Sequence, residues 1–137
     1  MNAPSANNEQ PWHFIVVRDK SILDRISQFH QYIKMAKTAS LGILVCADMK
    51  LNVSSVDFWV QDCAALTQNI LLAAHALGLG AVWTGVYPKD ELMEKFRDEF
   101  HMPKNIIPFA FIPIGYPAQK SGKLDRYRKD RVHVDKW

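Results

Sequence analysis

The apolar positions along this chain change period from segment to segment, and each period predicts an element. At 13–17, His-Phe-Ile-Val-Val is rich in aromatic and β-branched residues and predicts a strand. Ile22, Leu23, Ile26 and Phe29 share one helical face behind two candidate caps, Asp19 and Ser21, which predicts a short helix through about Tyr32. Residues 40–47 run apolar without alternation, as a strand buried on both faces does. The longest predicted element is a helix over 56–78, rich in Ala and Leu, free of proline, with Gly78 as a left-handed stop. A short strand at 80–84 follows. Pro88 reads as the first position of a further helix, with Asp90 and Glu91 in its first turn and Leu92, Met93, Phe96 and Phe100 on its apolar face. In the last predicted strand, 106–115, Pro108 and Pro113 cannot donate to a ladder, which predicts a sheet edge or irregular pairing at both ends. Beyond Tyr116-Pro117 the apolar period vanishes, and 118–137 reads as a tail extended over the surface. Four strands mixed with three or four helices predict a single α+β or α/β domain.

The 56–78 segment is apolar almost all round. Only Asp57, Asp62 and His75 could carry charge in it. A helix apolar on every side is buried on every side. Two arrangements achieve this in a small domain: a second copy covers one face, giving an obligate dimer, or the chain's own sheet and helices wrap the helix completely.

Composition narrows the function classes. The chain has 137 residues, of which 48% are hydrophobic and 23% charged, the profile of one globular domain. No apolar run approaches the ~18–20 residues of a membrane span, and residues 1–9 hold neither a basic stretch nor an apolar core, which predicts no secretory leader. Cys46 and Cys63 lie inside apolar runs without CxxC spacing, which predicts free, buried thiols in a reducing cytoplasm. The net charge of +3 is unevenly placed: residues 1–117 sum to −1 and residues 118–137 to +4. Such a tail can be a solvated end, a nucleic-acid arm or a clamp for one phosphate. Asp125, Asp130 and Asp135 interleave with its cations and no stacking platform accompanies them, which disfavours nucleic acid.

Side-chain catalytic motifs are missing. There is no GxSxG elbow and no P-loop, and the five histidines show no metal-binding spacing. Gly78-Leu79-Gly80 follows a helix instead of a strand, so it reads as a helix stop and turn, not a dinucleotide fingerprint. One segment stands apart. Between Pro4 and Pro11, Ser-Ala-Asn-Asn-Glu-Gln offers small hydroxyl and amide groups on a constrained backbone just ahead of a strand.

Pro4-Ser5-Ala6-Asn7-Asn8-Glu9-Gln10-Pro11-Trp12-His13-Phe14 resembles the signature loop of the FMN-dependent nitroreductase family. The resemblance continues through Trp59-Val60-Gln61-Asp62, Gln68-Asn69-Ile70-Leu71, Gly78-Leu79-Gly80-Ala81-Val82-Trp83-Thr84-Gly85, Ile114-Gly115-Tyr116-Pro117 and the 131–137 end. It implies a nitroreductase-like three-layer sandwich, α+β, with a central mixed or antiparallel sheet in an intertwined homodimer. The helix at 56–78 would be the central dimer helix. The family's first helix and its arginine motif, expected ahead of the signature loop, are absent from the sequence, leaving one domain over 1–137.

The resemblance also implies a site. Pro4, Ser5, Ala6 and Asn8 would contact FMN held mainly by the other subunit. Trp83, Thr84 and Gly85 would lie along the isoalloxazine, with a backbone donor near Thr84 or Gly85 directed at its reactive nitrogen. Arg126, with Lys123 nearby, would pair with the phosphate. The implied activity is ping-pong transfer from NADH or NADPH to a nitroaromatic, quinone or similar small-molecule acceptor, with no nucleic-acid or membrane partner. The alternative is a non-enzymatic dimeric remnant of the fold that no longer holds flavin tightly.

Overall fold

The computed structural model describes residues 1–54, 57–119, 122 and 124–137. In chain order the elements are β1 (Trp12–Val17), α1 (Lys20–Phe29), β2 (Leu41–Asp48), α2 (Trp59–Ala76), β3 (Gly80–Ala81), β4 (Thr84–Gly85), α3 (Asp90–Phe100) and β5 (Ile106–Gly115). The five strands make one antiparallel sheet in the order β1-β2-β5, with β3 and β4 both paired along the far side of β5.

The continuous apolar run of β2 is explained by what lies on its two faces. Leu44 and Cys46 pack with Leu23 and Ile26 of α1 and Phe96 of α3. Val45 and Ala47 pack with Trp59, Cys63 and Leu66 of α2. Helices therefore cover both sides of the sheet, the three-layer α+β arrangement that the resemblance implied. Burial pushes the Cys46 and Cys63 thiols up to about 12, so both are inert hydrophobes rather than nucleophiles.

Several boundaries differ from the sequence reading. The 106–115 strand is not at an edge but in the sheet interior, bonded to β2 on one side and to β3 and β4 on the other. Its prolines coincide with breaks in those ladders. The β2·β5 register shifts between Val45 and Cys46, where Cys46 meets Pro108. Across β5, the expected 80–84 strand is two short pieces that keep one register, so the gap at Val82 and Trp83 stands opposite Pro113 and Ile112. A missing donor is tolerated where the partner strand makes no bond.

Helix α1 is capped by Asp19, whose Oδ1 accepts from the Ser21 amide at 2.8 Å. It stops at Phe29 and not near Tyr32, because His30 leaves helical geometry (φ −112°, ψ 105°) and buries its ring. A 3₁₀ turn at Lys34–Thr38, unforeseen in the sequence, links α1 to β2. Pro88 does not open α3. It lies inside a turn closed by the Lys89 amide on the Val86 carbonyl at 3.0 Å, and the helix begins at Asp90. Gly78, at φ +73°, is the left-handed residue expected beyond α2. Residue 56, the predicted helix start, lies outside the described residues, as does residue 55 before it.

Helix α2 is not wrapped by its own chain. Trp59, Asp62, Cys63, Leu66, Thr67 and Ala74 are buried against the sheet. The opposite face leaves Ala73, Ala76 and Leu72 exposed, Leu72 at 58%, with Leu77 exposed just beyond the helix. Of the two arrangements open at the sequence level, enclosure by the chain's own elements is not the one the described residues form.

Among the glycines, the tightest surroundings are those of Gly42. A Cβ there would lie 2.2 Å from the Phe111 Cζ, and the Phe111 ring is fully buried. Gly42→Ala is therefore expected to destabilise the protein by about 1–3 kcal/mol through overpacking, measured as a lowered denaturant midpoint at unchanged slope. A neutral effect would show that the ring is not confined.

Candidate functional site

The loop from Ala3 to Pro11 is fixed at both ends. Ala3, Pro11 and Trp12 are buried, and Ala3 and Trp12 join the core cluster of Trp59 and Phe109. Between these anchors the chain makes a tight turn. Asn7, Asn8 and Gln10 all take positive φ, at 50°, 56° and 49°. Asn is among the few side chains that tolerate this region, which is the local reason for the paired asparagines. The Asn8 amide donates to the Ser5 carbonyl at 3.1 Å, and the Gln10 amide donates to Ser5 Oγ at 3.0 Å. The Ser54 amide donates to Glu9 Oε1 at 2.9 Å, tying the loop to the segment before α2.

The strongest hold on the loop comes from α2. The Ala6 amide donates to Asp62 Oδ1 at 3.0 Å, across 56 residues of chain. Asp62 is only 5% exposed, and its Oδ2 has no hydrogen-bond partner among the described residues. It lines, with Pro4, Ser5, Ala6, Phe58, Gln61 and Ala65, a groove of about 480 Å³. Asp62 was not among the site residues expected from the sequence. Its signal was there: it is one of few charges on an otherwise apolar helix, and a charge in such a place must be paired.

The second part of the site is β4. Thr84 is buried, and its hydroxyl donates to the Phe111 carbonyl at 2.6 Å. That hydroxyl is committed inside the protein, and Thr84 itself pairs with Phe111 of β5. Gly85 is exposed, and a Cβ built on it would meet nothing nearer than the Tyr87 carbonyl oxygen at 3.8 Å. The chain's own packing does not require glycine there, which leaves room for a close approach from outside. Trp83 is half-buried, its ring 5.9 Å from that of Phe109 and tilted 52° to it.

The structure brings only some of the expected residues together. The loop and Trp83 rest on the same apolar cluster. The loop groove, however, is lined by none of Trp83, Thr84 and Gly85. Asn8 and Arg126 are exposed, and the Arg126 guanidinium pairs with no described residue. Lys123 lies outside the described residues. Among the described residues, no cluster of His, Cys, Asp and Glu is placed to hold a metal ion, and no helix is long and apolar enough to cross a membrane.

Comparison with known proteins fits this arrangement. The sequence profile of the Nitroreductase family matches residues 34–116. A Methanothermobacter thermautotrophicus protein, provisionally named NADH dehydrogenase/NAD(P)H nitroreductase, is 52% identical over all of this chain and 71% of its own length. The chain belongs to the nitroreductase family. A solved structure from Bacteroides thetaiotaomicron with the same provisional name superposes with a TM-score of 0.93 at 42% identity, covering 100% of this chain and 79% of that one. A provisionally assigned nitroreductase from Desulfovibrio desulfuricans, solved in complex with FMN, gives a TM-score of 0.79 at 31% identity over 99% of this chain and 78% of that one.

Nitroreductase membership makes sense of a site with few reactive side chains. Its parts are backbone groups, a half-buried indole, a bare glycine and a groove with one unsatisfied acceptor. These suit a flat ring system that carries its own chemistry and needs to be held. The donor set therefore fits FMN.

Asp62 offers a test of how the nitroreductase loop is held. A hydrogen bond to a charged group contributes roughly 1.5–3 kcal/mol. Asp62→Ala should lose about that much stability and should speed hydrogen exchange at the Ala6 amide more than at amides of β2. Equal acceleration everywhere would mean that Asp62 supports the core and not the loop.

Proposed function

We propose that this chain is an FMN-dependent NAD(P)H oxidoreductase that works as a homodimer, each flavin lying between two copies. The observation that carries this reading is the pairing of two preformed half-sites, the Asp62-anchored loop and the open backbone of β4, in a chain whose groove unites only one of them. When bound, FMN supplies two-electron transfer from NADH or NADPH to a nitroaromatic, quinone or similar acceptor.

The residues of this chain bind and orient. Pro4, Ser5, Ala6 and Asn8 line one side of the ligand from the partner copy, with loop geometry set by Asp62. Trp83 gives an apolar surface for a ring. Thr84 and Gly85 present backbone to the reacting edge, and a backbone donor there stabilises negative charge that develops on reduction. Arg126, with Lys123 near it, pairs with the phosphate, for which a forked guanidinium is well shaped. A second copy is supported by the uncovered face of α2 and by Tyr116, Val134 and Trp137 near and within the tail, which expose apolar surface. The two free cysteines accord with a cytoplasmic setting.

Flavin loading tests the reading directly. Protein dialysed against FMN is expected to retain it and turn yellow, and NADH without oxygen should bleach it. A sample that stays colourless would favour the non-enzymatic remnant of the fold. Arg126→Ala should weaken FMN binding by about tenfold or more, the worth of one charge-assisted hydrogen bond.

The dimer has its own test. Leu72→Asp places a charge on the exposed face of α2, where it should cost a lone chain little. Light scattering after size exclusion is expected to show a dimer for the wild type and single copies for the variant, with FMN retention lost in parallel. A monomeric wild type would sink the two-copy site.

A further inference from the structure

His30 is the most enclosed titratable ring in the chain, 1% exposed, and no part of the flavin reading uses it. It is bonded on every side. Its amide donates to the Ile26 carbonyl at 3.1 Å, and its own carbonyl accepts from the Ile33 amide at 3.2 Å. Its Nδ1 accepts from the Tyr32 amide at 3.4 Å. With a lone pair committed at Nδ1, the proton of a neutral ring resides on Nε2. Nε2 lies 3.2 Å from the Gly85 carbonyl oxygen, 55 residues away in sequence, and donates to it. Burial lowers the pKa of the ring and the Lys89 cation lowers it further, against the opposing pull of the bonds to the Gly85 and His30 carbonyls, so the net shift favours the neutral ring that this geometry uses.

The acceptor matters more than the bond. Gly85 is half of a two-residue strand, and glycine has the freest backbone of any residue. The peptide between Gly85 and Val86 is pinned at both ends. Its N–H donates to the Phe109 carbonyl at 3.0 Å, and its C=O accepts from His30. Without the imidazole, nothing else described holds that carbonyl inward, and a glycine peptide is the one most able to rotate.

We propose that His30 is a positioning residue of the flavin site: its Nε2–H locks the peptide between Gly85 and Val86 in the orientation in which β4 meets the ring. The proposal rests on the reading that Gly85 contacts FMN. It accounts for the early end of α1, since the helix gives up a turn to bring this ring inward. His30 touches neither cofactor nor substrate and acts only through the strand.

Two experiments decide it. In flavin-free wild-type protein, nitrogen-15 NMR of the histidines should find His30 as the Nε2-protonated tautomer with a slowly exchanging ring N–H. A ring protonated at Nδ1, or one averaging rapidly between tautomers, overturns the proposal. In FMN-loaded dimer, His30→Leu should shift the flavin midpoint potential and slow its reduction by NADH on the order of threefold to tenfold, the worth of one hydrogen bond, with KM for NADH little changed. His30→Gln, which keeps a donor near Nε2, should restore both. If His30→Leu only lowers the melting temperature and leaves potential and rate at wild-type values, the residue is structural and the positioning role fails alone. If wild-type protein takes up no FMN, the flavin reading fails and takes the proposal with it.

Discussion

The row of backbone carbonyls along β5 is what the rest of the molecule depends on. The Phe109 carbonyl accepts from both the Val86 and Tyr87 amides, each at 3.0 Å. The Phe111 carbonyl accepts the Thr84 hydroxyl. On its other side the same strand pairs with β2 from Leu41 to Asp48, and the Phe111 ring fills the space that Gly42 leaves free. The β4 half-site is only two residues long and has little stability of its own. It inherits its geometry from the most buried strand in the sheet.

The loop half-site follows the same logic. A turn with three left-handed residues in four positions is costly to hold, since such conformations are sparsely populated by side chains other than glycine. It is held by burying its ends, Ala3 and Trp12, in the core and by presenting one buried carboxylate to its middle. In both halves a buried polar side chain, Asp62 or His30, binds a main-chain group across more than fifty residues of sequence. The chain thus fixes backbone groups in space and leaves the redox chemistry to the group they receive.

Much of this was legible in the chain itself. Unbroken apolar character at 40–47 meant a strand with cover on both faces, and α1 and α3 on one side and α2 on the other supply it. The order and spacing of the loop, the Gly-Leu-Gly turn and the Trp-Thr-Gly segment led to the nitroreductase family. Other features were not legible, because their causes lie in distant partners. Pro108 and Pro113 argued for an edge strand or for irregular pairing, and only the structure chose the second: both sit in the interior beside breaks in the neighbouring ladders. No local rule foretold that α1 would stop at Phe29, where His30 leaves helical geometry and its ring meets the Gly85 carbonyl 55 residues away.

Sequence alone determined the alternation of elements, the two-faced burial of the central strand, the apolar girth of α2 and the family, because these depend on residue type and on spacing within one segment. Tertiary structure alone decided that β5 is interior, that the Thr84 hydroxyl turns inward while Gly85 lies open, and that Asp62 and His30 bond the main chain at Ala6 and Gly85. Those outcomes turn on which buried donor meets which buried acceptor, and a pairing across half the chain leaves no period in the sequence to read.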